Sequence, residues 1–220
     1  RGLGDVYKRQ AFKYRLDEND SVDALFNKQR ATVSMGYIGL YEAATVFFGP
    51  NWETNANAKA FTLEILKRMQ AYQYSWTEMH DIWFSIYSTP SESLTDRFCR
   101  LDYEAFGSIP DITDKGYYQN SFHYDVRKDV TPFEKLDFEK DYPHFASGGY
   151  IHYCEYPKLD HNVKALEAVW DYSYDRVSYL GTNIPIDRCY DCGFEGDFET
   201  TEKGYSCPHC GNHNPETVDV

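Results

Sequence analysis

Four cysteines near the C-terminal end of the chain, arranged as two close pairs, constrain the fold more than any other feature. The pairs are Cys189-x2-Cys192 and Cys207-x2-Cys210, and fourteen residues separate them. Four thiolates with this spacing can close a tetrahedral shell around Zn2+. Two structural disulfides are the alternative interpretation of the same residues. We predict zinc in a structural site, because four protein ligands leave no open position for a reaction.

The cysteine count and the hydropathy pattern indicate an enzyme of a reducing compartment. Of the six cysteines, only Cys99 and Cys154 lie outside the paired set, which is not the pattern of a disulfide scaffold. No apolar run approaches the roughly 20 residues needed to span a bilayer, and no signal peptide opens the chain. We therefore expect a cytoplasmic protein without a membrane partner.

The charge of the chain argues against a nucleic-acid partner. The net charge is -13. In residues 187–220, eight acidic residues oppose only Arg188 and Lys203, so this segment carries -6. A segment with that charge is poorly suited to binding a phosphate backbone.

Strand-like and helix-like segments alternate along the chain. The first ten residues have no apolar period, and we interpret them as a non-native leader. Strands are expected at residues 32–38, 82–87, 121–126, 150–156 and 179–184, and helices at 40–48, 56–72, 90–106, 132–145 and from Asp160 onward. This alternation predicts an α/β fold with parallel neighbouring strands.

One predicted helix start combines a capping pattern with phosphate-binding chemistry. Thr89 can serve as N-cap, Pro90 as the first helical residue and Glu92 as the third, which is a capping box that needs no ligand. The same helix start offers backbone N–H groups to an anion, and the hydroxyls of Ser91 and Ser93 lie beside them. The residues alone leave both interpretations open.

The histidines give weaker indications. His152 and Cys154 point to the same side of a predicted strand, which suits either a thiol–imidazole pair or a buried thiol beside a hydrogen-bonded histidine. We favour the second, structural interpretation. His209 and His213 lie beside the paired cysteines, which already supply four ligands, so we expect no metal bond from either.

Five stretches resemble the anaerobic (class III) ribonucleoside-triphosphate reductases. They are ATVSMGYIGLYE at 31–42, YSTPSESLTDRFCRL at 87–101, TDKGYYQNSFH at 113–123, DYPHFASGGYIHYC at 141–154 and YLGTNIPIDRC at 179–189. The stretches occur in order and the resemblance covers roughly residues 11–220. It therefore implies the C-terminal portion of such an enzyme.

The resemblance implies a fold and a reaction. Residues 11–186 would form the second half of a ten-stranded α/β barrel, and residues 187–220 a small zinc-ribbon domain. The full-length enzyme, a homodimer, would reduce ribonucleoside triphosphates to deoxyribonucleoside triphosphates by glycyl and thiyl radical chemistry, with formate as reductant. The glycyl radical would lie downstream of this segment and would be installed by a radical S-adenosylmethionine iron–sulfur activase.

The resemblance also assigns residues. Thr89, Pro90, Ser91, Glu92 and Ser93 match the segment that holds the substrate phosphates, and Glu92 occupies the place of a carboxylate near the active site. The four paired cysteines match the zinc ligands one for one. No radical residue falls within the chain, so we expect the chain alone to be inactive. Another glycyl-radical enzyme, or a zinc-ribbon binding or interaction protein without catalytic activity, is the alternative.

Overall fold

The structure, a computed structural model, describes residues 31–88, 91–156, 162–183, 186–202 and 204–219, with the backbone alone at Glu92 and Thr200. The expected leader lies outside these residues. The helices are α1 (Leu40–Phe48), α2 (Ala56–His80), α3 (Glu92–Phe106), α4 (Pro132–Glu139), a 3-10 turn (Pro143–Phe145) and α5 (Val163–Ser173). The strands are β1 (Thr32–Gly36), β2 (Trp83–Ser88), β3 (Gly149–Tyr150), β4 (His152–Glu155), β5 (Leu180–Asn183), β6 (Arg188–Cys189), β7 (Glu199–Thr201), β8 (Gly204–Ser206) and β9 (Val218–Asp219).

The chain divides into two units. Within the described residues, the first comprises residues up to Phe122 and Asp141–Tyr150, and the second comprises His123–Lys140 and the residues from Ile151 onward. The four paired cysteines therefore belong to the second unit. The domain boundary expected between residues 186 and 187 stays a prediction. No helix in the described part of the chain combines the length and apolar character of a membrane span.

Parallel strand pairs confirm the α/β class. In the first unit, β1, β2 and β3 form a parallel sheet in that order, with Thr32 opposite Trp83 and Tyr87 opposite Gly149. In the second unit, β4 and β5 are parallel, with His152 opposite Leu180. The single strand expected at residues 150–156 is thus two strands, each paired with a different partner.

Aromatic side chains form the core of the first unit. The rings of Trp52, Phe122 and Tyr142 are fully buried, and Phe122 stacks on Tyr142 with ring centroids 5.7 Å apart. The Tyr142 hydroxyl lies 2.9 Å from the Thr62 hydroxyl, which satisfies both buried polar groups. Large aromatic rings bury much apolar area, so these three contribute strongly to the hydrophobic stabilisation of the unit.

Helix α2 is eight residues longer than its apolar pattern predicts, because polar side chains hold its last two turns. The Thr77 hydroxyl donates to the Gln73 carbonyl at 2.9 Å and accepts the Phe84 N–H at 3.1 Å. Gln73 is itself buried and accepts a hydrogen bond from Ser147 at 3.1 Å. A periodicity of apolar residues cannot reveal a helical face buried through such polar contacts.

Two further expectations about the middle of the chain are wrong. Residues 121–126 form turns and irregular chain instead of a strand, and Ser121 adopts a positive φ of 36°. The helix expected at 132–145 ends at Glu139. Its start carries a complete capping box, in which Thr131 accepts the Glu134 N–H and the Glu134 carboxylate accepts the Thr131 N–H.

Gly148 gives the first testable prediction. A Cβ at this position would lie 2.7 Å from the Ser85 hydroxyl oxygen and 3.0 Å from the Ile86 carbonyl oxygen, both on β2. We expect Gly148→Ala to lower the free energy of unfolding by about 1–3 kcal/mol through overpacking, as measured by urea titration. At Gly36 the nearest atom to a new Cβ is the Tyr87 carbonyl oxygen at 3.7 Å, so Gly36→Ala is the tolerated control. Equal stability of the two variants would contradict this packing.

Candidate functional site

The four paired cysteines converge on one point. Their Sγ atoms all lie within 4.8 Å of one another. The separation is 3.6 Å between Cys189 and Cys210 and again 3.6 Å between Cys192 and Cys207. Zinc–sulfur bonds of about 2.3 Å in a tetrahedron place the sulfurs about 3.8 Å apart, so this donor set fits zinc.

The same distances argue against the disulfide alternative. A disulfide bond is about 2.05 Å long, well short of the Sγ separations in this cluster. All six cysteines of the chain are free thiols. Within the described residues, neither His209 nor His213 belongs to the cluster, and the His209 ring stacks on Phe194 instead.

Each cysteine pair forms a tight turn that ends in a glycine. The Gly193 N–H donates to the Cys189 carbonyl, and the Gly211 N–H donates to the Cys207 carbonyl, both at 2.8 Å. The φ angles of the two glycines, 74° and 71°, lie in the left-handed region that glycine adopts at little cost. The two cysteine turns therefore share the same backbone geometry.

The module that contains the cysteines, residues 187–219, has a very small apolar core. Cys189, Phe198 and Cys207 are its buried core residues, and two short antiparallel pairs, β6–β9 and β7–β8, frame them. Two of the three buried residues are themselves members of the cysteine cluster. A core of this size supplies little hydrophobic stabilisation, so a metal cross-link would contribute much of the module's folding free energy.

Cys189 is surrounded by hydrogen-bond donors. Its burial opposes ionisation, but the Cys192 N–H, the Asn212 side chain and the Asp191 N–H stabilise the thiolate and lower the pKa of Cys189 to about 6. The Asn212 Nδ2 atom lies 3.7 Å from the Cys189 Sγ atom. The environment of Cys189 therefore favours the thiolate form that zinc requires.

The start of α3, where phosphate binding is predicted, differs in the structure from the sequence prediction. Thr89 and Pro90 lie outside the described residues, and the helix begins at Glu92 with Ser91 as its N-cap residue. Ser91 has φ -113° and ψ 63°, so it is not helical, and the helix begins two residues later than the predicted start at residue 90. Among the described residues, the Ser91 hydroxyl makes no capping hydrogen bond. The Ser93 side chain is exposed.

Asn120 holds this helix start, and the sequence analysis missed it. The Asn120 Oδ1 atom accepts the backbone N–H of Ser91 at 2.8 Å. Asn120 also forms an isolated bridge with Ile38, which follows β1. Asn120 thus connects the chain after β1 to the start of α3. A contact between residues 29 positions apart in irregular chain leaves no periodic signal in the sequence.

A buried carboxylate fixes the segment that carries Asn120. The Glu42 side chain on α1 accepts the Gln119 N–H at 2.9 Å and pairs with the Lys115 ammonium, which is itself buried. The Gly39 N–H completes the connection by donating to the Gln119 carbonyl at 2.9 Å. Burial raises the pKa of Glu42, although Lys115 acts in the opposite direction.

A second buried carboxylate, Glu139, organises part of the second unit. It is fully buried and accepts the Tyr124 N–H at 2.7 Å. Its Oε2 atom lies 2.6 Å from His152 Nδ1 and 3.4 Å from His123 Nδ1, and Lys135 pairs with Oε1. Despite the opposing effect of burial, the contacts with Lys135, His123 and His152 hold the pKa of Glu139 well below its usual range.

The His152–Cys154 pair forms part of this network. The distance between His152 Nε2 and Cys154 Sγ is 3.3 Å, so the two groups do interact as a thiol–imidazole pair. Both side chains are buried, with 0% and 2% exposure, which favours the structural interpretation over a reactive one. Burial lowers the pKa of His152, but its contacts with Cys154 and Glu139 outweigh this effect and raise the pKa.

The family of the chain is shown by its similarity to known proteins. A model of the anaerobic ribonucleoside-triphosphate reductase family matches residues 2–220, and the chain belongs to this family. The matched region includes most of the expected leader. The chain is 51% identical to the enzyme of that name from Escherichia coli K12 over 98% of its own length, and 42% identical to that of phage T4 over the same share. It spans 30% and 34% of these two relatives.

Solved structures support the fold at lower sequence identity. An anaerobic ribonucleotide reductase superimposes with a TM-score of 0.65 at 17% identity, over 83% of this chain and 28% of that protein. The Thermotoga maritima anaerobic ribonucleotide reductase, solved in complex with dATP and CTP, superimposes with a TM-score of 0.61 over 83% of this chain and 29% of its own. The α/β arrangement described above is therefore one that anaerobic ribonucleotide reductases contain.

The cysteine cluster predicts metal binding that depends on all four thiolates. We expect the chain to hold one zinc ion, and Cys207→Ser to lose tightly held zinc because the tetrahedral shell is incomplete. Elemental analysis after treatment with a chelator measures this. Cys99→Ser, which changes a buried thiol outside the cluster, is the matched control and should retain zinc. A full equivalent of chelator-resistant zinc in Cys207→Ser would refute the assignment.

The Glu139 network predicts a stability maximum in pH. Since folding lowers the pKa of Glu139, its contribution is present above the unfolded value of about 4.3 and is lost as pH falls. Since folding raises the pKa of His152, its contribution is present below about 6.5 and is lost as pH rises through the folded value. Urea unfolding between pH 3 and 9 should therefore show greatest stability between these limits.

Two variants isolate this pH dependence. Glu139→Gln should flatten both sides of the profile, because Glu139 is the common partner of Lys135, His123 and His152. Glu167→Gln, which replaces an exposed carboxylate on α5, should leave the profile unchanged. A wild-type free energy of unfolding that stays constant from pH 5.5 to 8.5 would contradict the role assigned to His152.

Proposed function

We propose that this chain is the C-terminal part of an anaerobic ribonucleoside-triphosphate reductase that converts ribonucleoside triphosphates to deoxyribonucleoside triphosphates. The observation that carries the proposal is 51% identity to an enzyme of that name across 98% of the chain. The family match over residues 2–220 supports it, and the similar enzymes share one name. This agreement does not favour a different glycyl-radical enzyme or a non-catalytic zinc-binding protein.

The proposal assigns the chain a place in the larger enzyme. The parallel sheets would belong to the second half of the ten-stranded barrel, and the cysteine module would be a zinc ribbon. The radical reaction would use formate as reductant and a glycyl radical from elsewhere in the full-length enzyme, installed by the activase. We also propose a cytoplasmic homodimer. The identity to relatives about three times as long supports this placement.

Residues 89–93 are the proposed contact with the substrate triphosphate. The first N–H groups of an α-helix have no carbonyl partner within the helix, and at the start of α3 those of Glu92 and Ser93 suit phosphate oxygens. Their N-cap residue, Ser91, follows β2 of a parallel sheet, and ligands of α/β proteins bind beyond the carboxyl ends of such strands. The solved reductase in complex with CTP is consistent with a nucleotide substrate. A catalytic role of Glu92 remains part of the proposal.

When bound, zinc would join the two cysteine turns by ligation to Cys189, Cys192, Cys207 and Cys210. Four protein ligands complete its tetrahedral shell, so its contribution would be structural. The hydrogen bonds donated to Cys189 and the small core of the module suit that purpose. The four cysteine side chains would then hold the two turns together at one point.

Removal of the two hydroxyls tests the phosphate site. In a full-length reductase that contains this segment, we expect Ser91→Ala with Ser93→Ala to weaken nucleoside triphosphate binding. Each hydroxyl contact contributes about 0.5–1.5 kcal/mol, or roughly 2- to 13-fold in Kd. Isothermal titration with a triphosphate and with the matching nucleoside measures the effect, which should be confined to the triphosphate. Stability should change little, because the Ser91 hydroxyl makes no capping bond among the described residues.

Ser108→Ala is the matched control for this experiment. Ser108 is exposed and lies just beyond the other end of α3, where no phosphate contact is proposed. Its removal should leave both affinities unchanged. If the double variant bound triphosphate as tightly as the wild-type enzyme, the proposed phosphate site would be wrong.

A further inference from the structure

Asn212 connects the two cysteine turns of the second unit. Its main chain belongs to the second turn, where its carbonyl accepts the Cys207 N–H at 2.9 Å. Its side chain extends to the first turn, where Nδ2 lies 3.7 Å from the Cys189 Sγ atom. Asn212 is partly buried and is not a member of the cysteine cluster. One residue therefore contacts both halves of the ligand set.

The neighbours of the Asn212 amide fix which of its atoms faces the sulfur. Oδ1 accepts the backbone N–H of Asn214 at 2.9 Å, and a backbone N–H can only donate. Oδ1 is thereby assigned, so the atom directed at Cys189 is Nδ2, which carries two N–H groups. The second of these donates to the Thr217 hydroxyl at 2.7 Å. The amide is held from both ends while it faces the thiolate.

We propose that Asn212 is a positioning residue for the zinc site, which orients the Cys189 thiolate toward the metal and stabilises its charge. Four thiolates around one divalent cation leave an excess of negative charge, and the surrounding segment of residues 187–220 adds -6. An N–H donor directed at sulfur offsets part of that charge. Groups that orient metal ligands in this way typically change metal affinity 10- to 100-fold.

The inference rests on the proposed zinc site and adds a residue to it that is not a ligand. It is tested in the 220-residue chain by zinc competition against a chromogenic chelator. We expect Asn212→Ala to weaken zinc binding by about 10- to 100-fold. Asn212→Asp should weaken it at least as much, because Asp retains an acceptor for the Asn214 N–H but has no N–H for the sulfur and adds a negative charge.

Asn214→Ala is the matched control. The Asn214 side chain accepts the Glu216 N–H at 3.1 Å and stabilises the same loop, but it makes no hydrogen bond to a cysteine sulfur among the described residues. This variant should bind zinc within about threefold of the wild-type chain. A loss of zinc affinity in Asn214→Ala equal to that in Asn212→Ala would overturn the inference, since loop stability would then explain both.

Cobalt substitution provides a second measurement that loop stability alone does not change. With Co2+ saturating each variant, Asn212→Ala should shift the thiolate-to-cobalt charge-transfer bands, because Cys189 loses a hydrogen bond, and Asn214→Ala should not. Zinc affinity in Asn212→Asp equal to that of the wild-type chain, or unshifted bands in Asn212→Ala, would overturn the inference. Absence of zinc binding by the wild-type chain would instead refute the zinc site itself.

Discussion

In each unit, a fully or nearly fully buried glutamate accepts a backbone N–H from irregular chain and pairs with a lysine. In the first unit Glu42 binds one lysine and one backbone N–H from a loop. In the second unit Glu139 does the same with Lys135 and Tyr124. Removal of the cation from such a pair costs about 3–5 kcal/mol, because a carboxylate is left buried without compensation.

The two glutamates differ in the number of partners that favour the charged carboxylate, and their pKa values shift in opposite directions. Lys115 alone does not overcome the burial of Glu42, so the pKa of Glu42 is raised. Glu139 has Lys135 and two histidines, and its pKa is lowered although it is more deeply buried. Burial disfavours a charged carboxylate, and each added positive neighbour favours it. The same residue type thus has a raised pKa in the first unit and a lowered pKa in the second.

The sequence correctly predicts those helix limits that depend on residues close to them in the chain. Helix α1 matches its predicted limits, because Gly49, with φ 82°, ends it as a glycine at that position should. The pattern Thr-Pro-x-Glu occurs twice, at residues 89–92 and 131–134. The second forms the predicted capping box. At the first, Asn120 binds the Ser91 N–H, and the helix begins two residues later than its pattern indicates.

The candidate sites follow the same division between local and distant contacts. Each cysteine turn closes within five residues, so spacing alone was enough to predict the cluster. Asn120 and Asn212 were not predicted, because each acts on a residue more than 20 positions away through a side-chain amide. Asparagine is common in loops, and its presence there does not reveal what it binds. Where a contact joins distant loops, only the folded chain identifies the partner.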